Sequence, residues 1–214
     1  MNTDLHSYYS LRAPTYDQLY FREERQAELL RLGEFLREAF AGKQVLEIAC
    51  GTGYWTQIIA ESAHEVLATD LTEPMLQEAR QKAYPRQNVA FEIQNIFDLR
   101  LNGPFDAAFG GFIWSHLRPA ELRDMLDELE RPLLPGSRVL FADNRFVAGS
   151  STPIAHTDVA GNTYQQRLLE DGSAFLVLKN FPQHHHFQAL MEGRAAHWTL
   201  HESQYYWLLD YTTQ

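Results

Sequence analysis

From residue 45 to residue 143, short apolar runs alternate with stretches of helical periodicity, and this alternation limits the possible folds most. Residues 45–48, 65–69, 89–94, 105–110 and 138–143 read as strands, with helices over 54–62, 73–82 and 119–130 between them. Thr72 is placed to cap the second of these helices, and Pro74 fits its first turn. Strands joined by helical crossovers pair in parallel with right-handed connections, which gives a three-layer α/β sandwich.

Upstream, Leu29, Leu32, Leu36 and Phe40 recur at helical spacing within 21–40, and Gly42 is a plausible stop. The segment before them is rich in tyrosine (Tyr8, Tyr9, Tyr16, Tyr20). Downstream the rhythm changes. Residues 164–169 and 174–180 flank Glu170-Asp171-Gly172, a hairpin signal, and a short helix over 183–191 precedes an antiparallel pair at 195–201 and 204–211. The expected architecture is Rossmann-like: a mostly parallel seven-stranded sheet with antiparallel end strands and an added β-hairpin. No repeat or linker divides the chain, so one domain is expected: an N-terminal part (1–42), a core (43–143), and hairpin with end strands (144–214).

Composition narrows the partners. A net charge of −10 argues against nucleic acid, whose binding rests on clustered Lys and Arg. No apolar run reaches the roughly 18 residues needed to cross a membrane, and Met1-Asn2-Thr3-Asp4 does not begin a secretory leader. The lone cysteine, Cys50, excludes an internal disulfide and fits a reducing compartment. A cytoplasmic monomer or homodimer acting on a small molecule is the expectation.

The loop Glu47-Ile48-Ala49-Cys50-Gly51-Thr52-Gly53 falls where the first strand turns into the first crossover helix. Glycine there permits positive φ and lets a ligand lie against the backbone. Asp70 ends the second strand, roughly 20 residues on, where an acid can take hydrogen bonds from ribose hydroxyls; capping the next helix is its alternative role. A dinucleotide fingerprint would need glycine at position 56, which is Thr56. Glu47 would repel a pyrophosphate, yet it suits a cofactor whose amino acid end carries an ammonium. NAD is therefore disfavoured.

With these residues in place, the sequence resembles the class I methyltransferases that use S-adenosylmethionine (SAM). Residues 45–53 look like their first motif and Asp70-Leu71 like the second, with Met75 matching a residue under the adenine. Gln94-Asn95-Ile96-Phe97-Asp98 resembles the segment reading the adenine edge, with Asn95 where the family usually has Asp. Ala49 replaces the commoner first glycine, and Phe109-Gly110-Gly111 fits the end of the fourth strand. The resemblance implies that Glu47, Ala49, Gly51, Gly53, Trp55, Asp70, Leu71, Met75, Asn95, Ile96, Phe97 and Gly111 bind the cofactor. The opening from Tyr8 to Asp17 is also similar to the family's, where it folds over the cofactor as a lid; Tyr9, Arg12 and Tyr16 would then hold the cofactor's carboxylate. Aromatic packing of a terminal helix is the alternative.

Arg167 and Lys179 lie on the two arms of the hairpin. A three-residue loop with Gly172 left-handed sets Arg167 opposite Phe175 and puts Lys179 on the same face, as an oxyanion clamp. A two- or four-residue loop would part them, and both could be solvated charges. The stretches 167–175 and 177–181, with Tyr54-Trp55-Thr56, resemble small phosphonate O-methyltransferases, in which matching residues grip the phosphonate. His116, in Ile113-Trp114-Ser115-His116, resembles a histidine the family keeps near the acceptor and is the candidate catalytic residue; a core histidine is the alternative. The implied activity is O-methylation of a small anionic acceptor, releasing S-adenosylhomocysteine (SAH). The alternatives are SAM or SAH binding without transfer, or N-methylation. His184-His185-His186 has no completing ligand set nearby and reads as a solvated loop without metal.

Overall fold

The computed structural model describes residues 3–84 and 86–214; Met1 and Asn2, part of the stretch read above for a leader, lie outside the described residues. Helices α1 (Leu5–Arg12) and α2 (Gln26–Ala39) precede β1 (Gln44–Ile48), α3 (Tyr54–Ala60), β2 (Glu65–Asp70), α4 (Glu73–Gln81) and β3 (Val89–Ile93). Then come β4 (Phe105–Gly111), α5 (Leu122–Glu130) and β5 (Leu133–Asn144). Strands β6 (His156–Thr157), β7 (Thr163–Leu168) and β8 (Ala174–Leu178) follow, then α6 (His184–Met191), β9 (Ala195–Glu202) and β10 (Tyr206–Thr213).

The main sheet runs β3-β2-β1-β4-β5-β10-β9. Its first five strands pair in parallel, and β10 lies antiparallel to both β5 and β9. This is the Rossmann-like sheet read from the sequence. Side-chain alternation along β1 explains why both faces are covered. Val45 packs into the cluster holding Leu36 of α2 and Ile59 of α3. Leu46 and Ile48 pack into the opposite cluster with Leu122, Met125, Leu126 and Leu129 of α5. The chain leaves β1 toward β2 and β3, then crosses back to β4 on the other side of β1. At that reversal a crevice opens beyond the carboxyl ends of the strands, the usual ligand position in such sheets.

Several expectations shift. The 21–40 helix begins only at Gln26, because the chain is extended at Arg22 (ψ 118°) and residues Ala13–Phe21 form 3-10 turns. Strand β5 starts at Leu133, ahead of the expected 138, and a register shift between Phe105 and Ala107 of β4 takes up the added residues. Thr72 does not cap α4 with its side chain; its hydroxyl turns back to Asp70. The hairpin gains β6 as a third strand. Its loop has the three-residue form, with Gly172 at φ +82° and Arg167 opposite Phe175. His184–His186 open α6 instead of a loop, and His186 Nδ1 accepts the Gln183 N–H at 2.9 Å. Among the described residues no His/Cys/Asp/Glu group could hold a metal, and no helix is long and apolar enough to cross a membrane.

Candidate active site

The crevice holds a cleft of about 350 Å³, within the range of small-molecule sites. Of the residues expected to bind cofactor, Tyr9, Tyr16, Ala49, Gly51, Asp70, Leu71, Met75, Asn95, Ile96, Phe97 and Gly111 line it. Leu71 and Phe97 are 51% and 40% exposed, apolar surface left open where a flat ring could be sandwiched. At Asp70, Oδ2 accepts the Gly51 N–H at 2.9 Å, while Oδ1 accepts the N–H and O–H of Thr72, each at 2.9 Å. With about four lone pairs on a carboxylate, one is left for a donor in the cleft, so a second ribose hydroxyl would have to share it. Burial raises the Asp70 pKa, against the opposing pull of these donors.

The loop backbone is bent to fit. Gly51 sits at φ +57° and Gly53 at φ +76°, the latter tight against Ala79 of α4. Ala49 also takes a left-handed φ of +50°, which costs a residue with a Cβ about 1 kcal/mol. Asn95 spends its Oδ1 on the Phe97 N–H at 3.0 Å. Thr52 donates to Asp17, and Asp17 also pairs with Lys82, which ties the N-terminal segment over the loop.

Four expected cofactor residues, Arg12, Glu47, Gly53 and Trp55, lie outside the cleft lining. Gly53 packs on α4, Trp55 is buried in the aromatic cluster with Tyr20 and Phe112, and Glu47 is 1% exposed beneath the loop. Glu47 Oε2 has no hydrogen-bond partner among the described residues. Burial, helped by the nearby Asp70 charge, pushes its pKa from 4.5 up to about 8. The unfolded chain releases this proton near 4.5, so between the two values the folded state binds more protons and stability falls as pH rises. Glu47→Gln, which does not titrate, is expected to gain about 2 kcal/mol on the wild type from about pH 6 to about pH 8. Denaturant unfolding of both proteins at the two pH values measures this; an unchanged difference would mean that Glu47 titrates normally.

A second cavity of about 110 Å³ adjoins the cleft, and Tyr9, Tyr16, Phe112 and His116 line both. At roughly 10–15 Å³ per water, it has room for a molecule of roughly seven to eleven heavy atoms. Five cations line it: Arg12, Arg22, Arg25, Arg167 and Lys179. Arg12, expected at the cofactor's carboxylate, lines this cavity and donates to the Tyr8 hydroxyl. Arg167 donates to Thr152 Oγ1 at 2.7 Å and Gln165 Oε1 at 2.6 Å, and its burial lowers its pKa. Lys179 pairs with Asp143 Oδ1 at 3.0 Å and donates to Ser115 Oγ, leaving one of its three N–H groups for the cavity. The hairpin face thus brings Arg167 and Lys179 to one cavity, and the structure adds Arg22 and Arg25.

His116 stands in the shared wall. Its Nδ1 lies 2.7 Å from the Leu178 carbonyl, which can only accept, so Nδ1 carries the proton. Nε2 then accepts the Tyr9 hydroxyl at 2.7 Å. Burial, with Lys179 close by, pushes the His116 pKa down to about 3, so the ring is neutral at physiological pH. Phe112 beside it holds a left-handed φ of +62°, strain stored where β4 ends.

Residues 45–136 match the family model of a methyltransferase domain. An uncharacterized methyltransferase of Staphylococcus carnosus is 29% identical over 138 residues, 63% of this chain and 65% of that one. The malonyl-[acyl-carrier protein] O-methyltransferase of Salmonella typhimurium is 36% identical over 100 residues, covering 45% and 37%. The chain thus spans less than two thirds of the length of these curated relatives. Among solved structures, the complex of DhpI with SAH superposes with a TM-score of 0.77 at 26% identity, covering 97% of this chain and 94% of that one. The DhpI-SAM-HEP complex gives a TM-score of 0.78 at 24% identity, covering 96% and 94%. With the glycine loop, Asp70 and the strand order already in place, residues 45–136 are a methyltransferase domain, and the chain carries the class I SAM-dependent methyltransferase fold.

Proposed function

We propose that the protein methylates an oxygen of a small anionic acceptor and releases SAH. The observation that carries this reading is the cation-lined cavity sharing a wall with the nucleoside cleft. Cations on this side favour an acid and repel an amine. The Salmonella relative is by name an O-methyltransferase, which also supports oxygen as the acceptor atom.

The cleft fits the cofactor: Asp70 would hold the ribose, and Leu71, Met75 and Phe97 the adenine. SAM supplies, when bound, a methyl already activated on a sulfonium. The protein therefore has to hold the acceptor oxygen in line and keep water out. Arg167 and the free N–H of Lys179 would orient the acid, with Tyr9 and Tyr16 closing the junction. An acid ionised at neutral pH needs no base, so His116 serves by pinning the Tyr9 hydroxyl. A neutral imidazole also avoids placing a positive charge beside the sulfonium.

The test is SAH release from SAM with a panel of carboxylates, phosphonates, phenols and amines. Turnover is expected with small acids, and Arg167→Ala is expected to cut kcat/KM about 100-fold while leaving SAH affinity within about twofold. Turnover confined to amines would overturn the reading. SAH binding without turnover of any acceptor would leave a binding protein.

A further inference from the structure

We propose that the acceptor carries two anionic groups, one held by Arg167 and Lys179 and the other by Arg22 and Arg25. This rests on the anionic-acceptor reading above and extends it. Away from the guanidiniums of this cavity, cations set into the fold have carboxylate partners: Lys179 has Asp143, and Arg194 has Asp127 and Glu130, whereas Arg12 and Arg167 have only neutral ones. Arg25 is only 6% exposed, yet among the described residues no carboxylate pairs with it and its Nε has no hydrogen-bond partner. Its other nitrogens donate to neutral oxygens, Asn144 Oδ1 at 3.0 Å and Ser150 Oγ at 2.9 Å. The guanidinium lies over the Tyr205 and Tyr206 rings, at 5.0 and 5.7 Å from their centroids. A buried guanidinium without a counter-ion is costly to keep, and it lines the cavity that an anion would enter.

The loop 150–152 joins the two pairs of cations. Ser150 accepts from Arg22 Nη1 through its carbonyl at 2.7 Å and from Arg25 through its hydroxyl, while Thr152 accepts from Arg167. Glu24 reaches only the Ser150 hydroxyl, at 3.3 Å, and forms no ion pair with either arginine among the described residues. Ser150 and Thr152 are two residues apart, so their Cα atoms lie within about 7 Å. That spacing suits a short diacid, a dicarboxylate or a phosphonocarboxylate. Asp143 offsets Lys179, and four guanidiniums remain. If Arg12 serves the cofactor's carboxylate, three still face the acceptor, more than one acid group would balance.

The experiment titrates SAH-loaded protein calorimetrically with matched pairs: butyrate against succinate, and ethylphosphonate against phosphonoacetate. The wild type is expected to bind the diacid of each pair about 30-fold more tightly. In Arg22→Gln and Arg25→Gln that preference is expected to fall below about threefold, whereas Arg167→Gln weakens mono- and diacid together. Should Arg25→Gln not fold, the exposed Arg22→Gln decides. Equal wild-type affinity for mono- and diacid overturns the proposal and leaves the anionic acceptor standing. Binding of no acid by the SAH-loaded protein sinks both.

Discussion

Replacing Asp143 with alanine is expected to lower the free energy of unfolding by about 3–5 kcal/mol, the largest loss from a single side chain of the site. Asp143 is fully buried, and both of its oxygens are in use. Oδ2 accepts the Ser115 N–H at 2.8 Å and its hydroxyl at 2.7 Å; Oδ1 accepts the Asn144 N–H at 2.7 Å and Lys179 Nζ at 3.0 Å. Alanine would leave the Lys179 ammonium buried with only neutral partners. Burial already lowers the Lys179 pKa against the opposing pull of Asp143, so the variant's lysine would shed its proton or open the hairpin to water.

The pair also sets a pH signature. Burial alone would raise the Asp143 pKa, but Lys179, aided by His116 and Ser115, holds it below its ordinary 3.8. A depressed carboxylate contributes stability above its unfolded pKa and loses it as pH falls through the folded one. The gap between wild type and Asp143→Ala is therefore expected at neutral pH and should close in acid. Denaturant unfolding at both extremes measures it. The double variant Asp143→Ala with Lys179→Met is expected to regain most of the loss, because an apolar pair removes both desolvation penalties, while acceptor turnover stays low. A single-variant loss under about 1 kcal/mol would mean that the pair is solvated in solution.

What the sequence made legible was local or periodic. The strand at 45–48 and the loop after it follow from an apolar run ended by glycine, and Gly172 in Glu170-Asp171-Gly172 set the hairpin register that puts Arg167 opposite Phe175. What stayed hidden depends on contacts distant in sequence. Arg22 and Arg25 fall within the 21–40 helical pattern, where nothing local marks them; only their bonds to Ser150, more than a hundred residues on, bring them to the cavity. Lys179 read as a free cation, since nothing near it in sequence announces Asp143 at the end of β5. The neutral state of His116 follows from its burial and from Lys179 close by, again beyond local reach. Ala49 read as a mild replacement for glycine, yet its backbone is left-handed.

Asp70→Ala is expected to weaken SAH binding by about 100- to 1,000-fold, which is roughly 3–4 kcal/mol. Two losses add. A hydrogen bond from a ribose hydroxyl to a charged acceptor contributes about 1.5–3 kcal/mol. The remainder comes from the loop, because Asp70 ties Gly51 to Thr72 and so holds the cleft floor in shape before anything binds. Asp70→Asn separates the two: its amide oxygen can keep the Thr72 bonds, while its NH₂ group meets the Gly51 N–H as a second donor. It should fall between alanine and wild type in affinity, at a stability cost of about 1–3 kcal/mol for the unpaired Gly51 N–H. Calorimetric titration with SAH, beside thermal unfolding without ligand, reads both quantities. If Asp70→Ala binds SAH as the wild type does, the nucleoside lies elsewhere. If affinity falls only in proportion to lost stability, Asp70 is a scaffold for the loop and not a ligand to the ribose. A large affinity loss in a folded, stable variant is the outcome that the geometry of Asp70, with one lone pair free toward the cleft, leads us to expect.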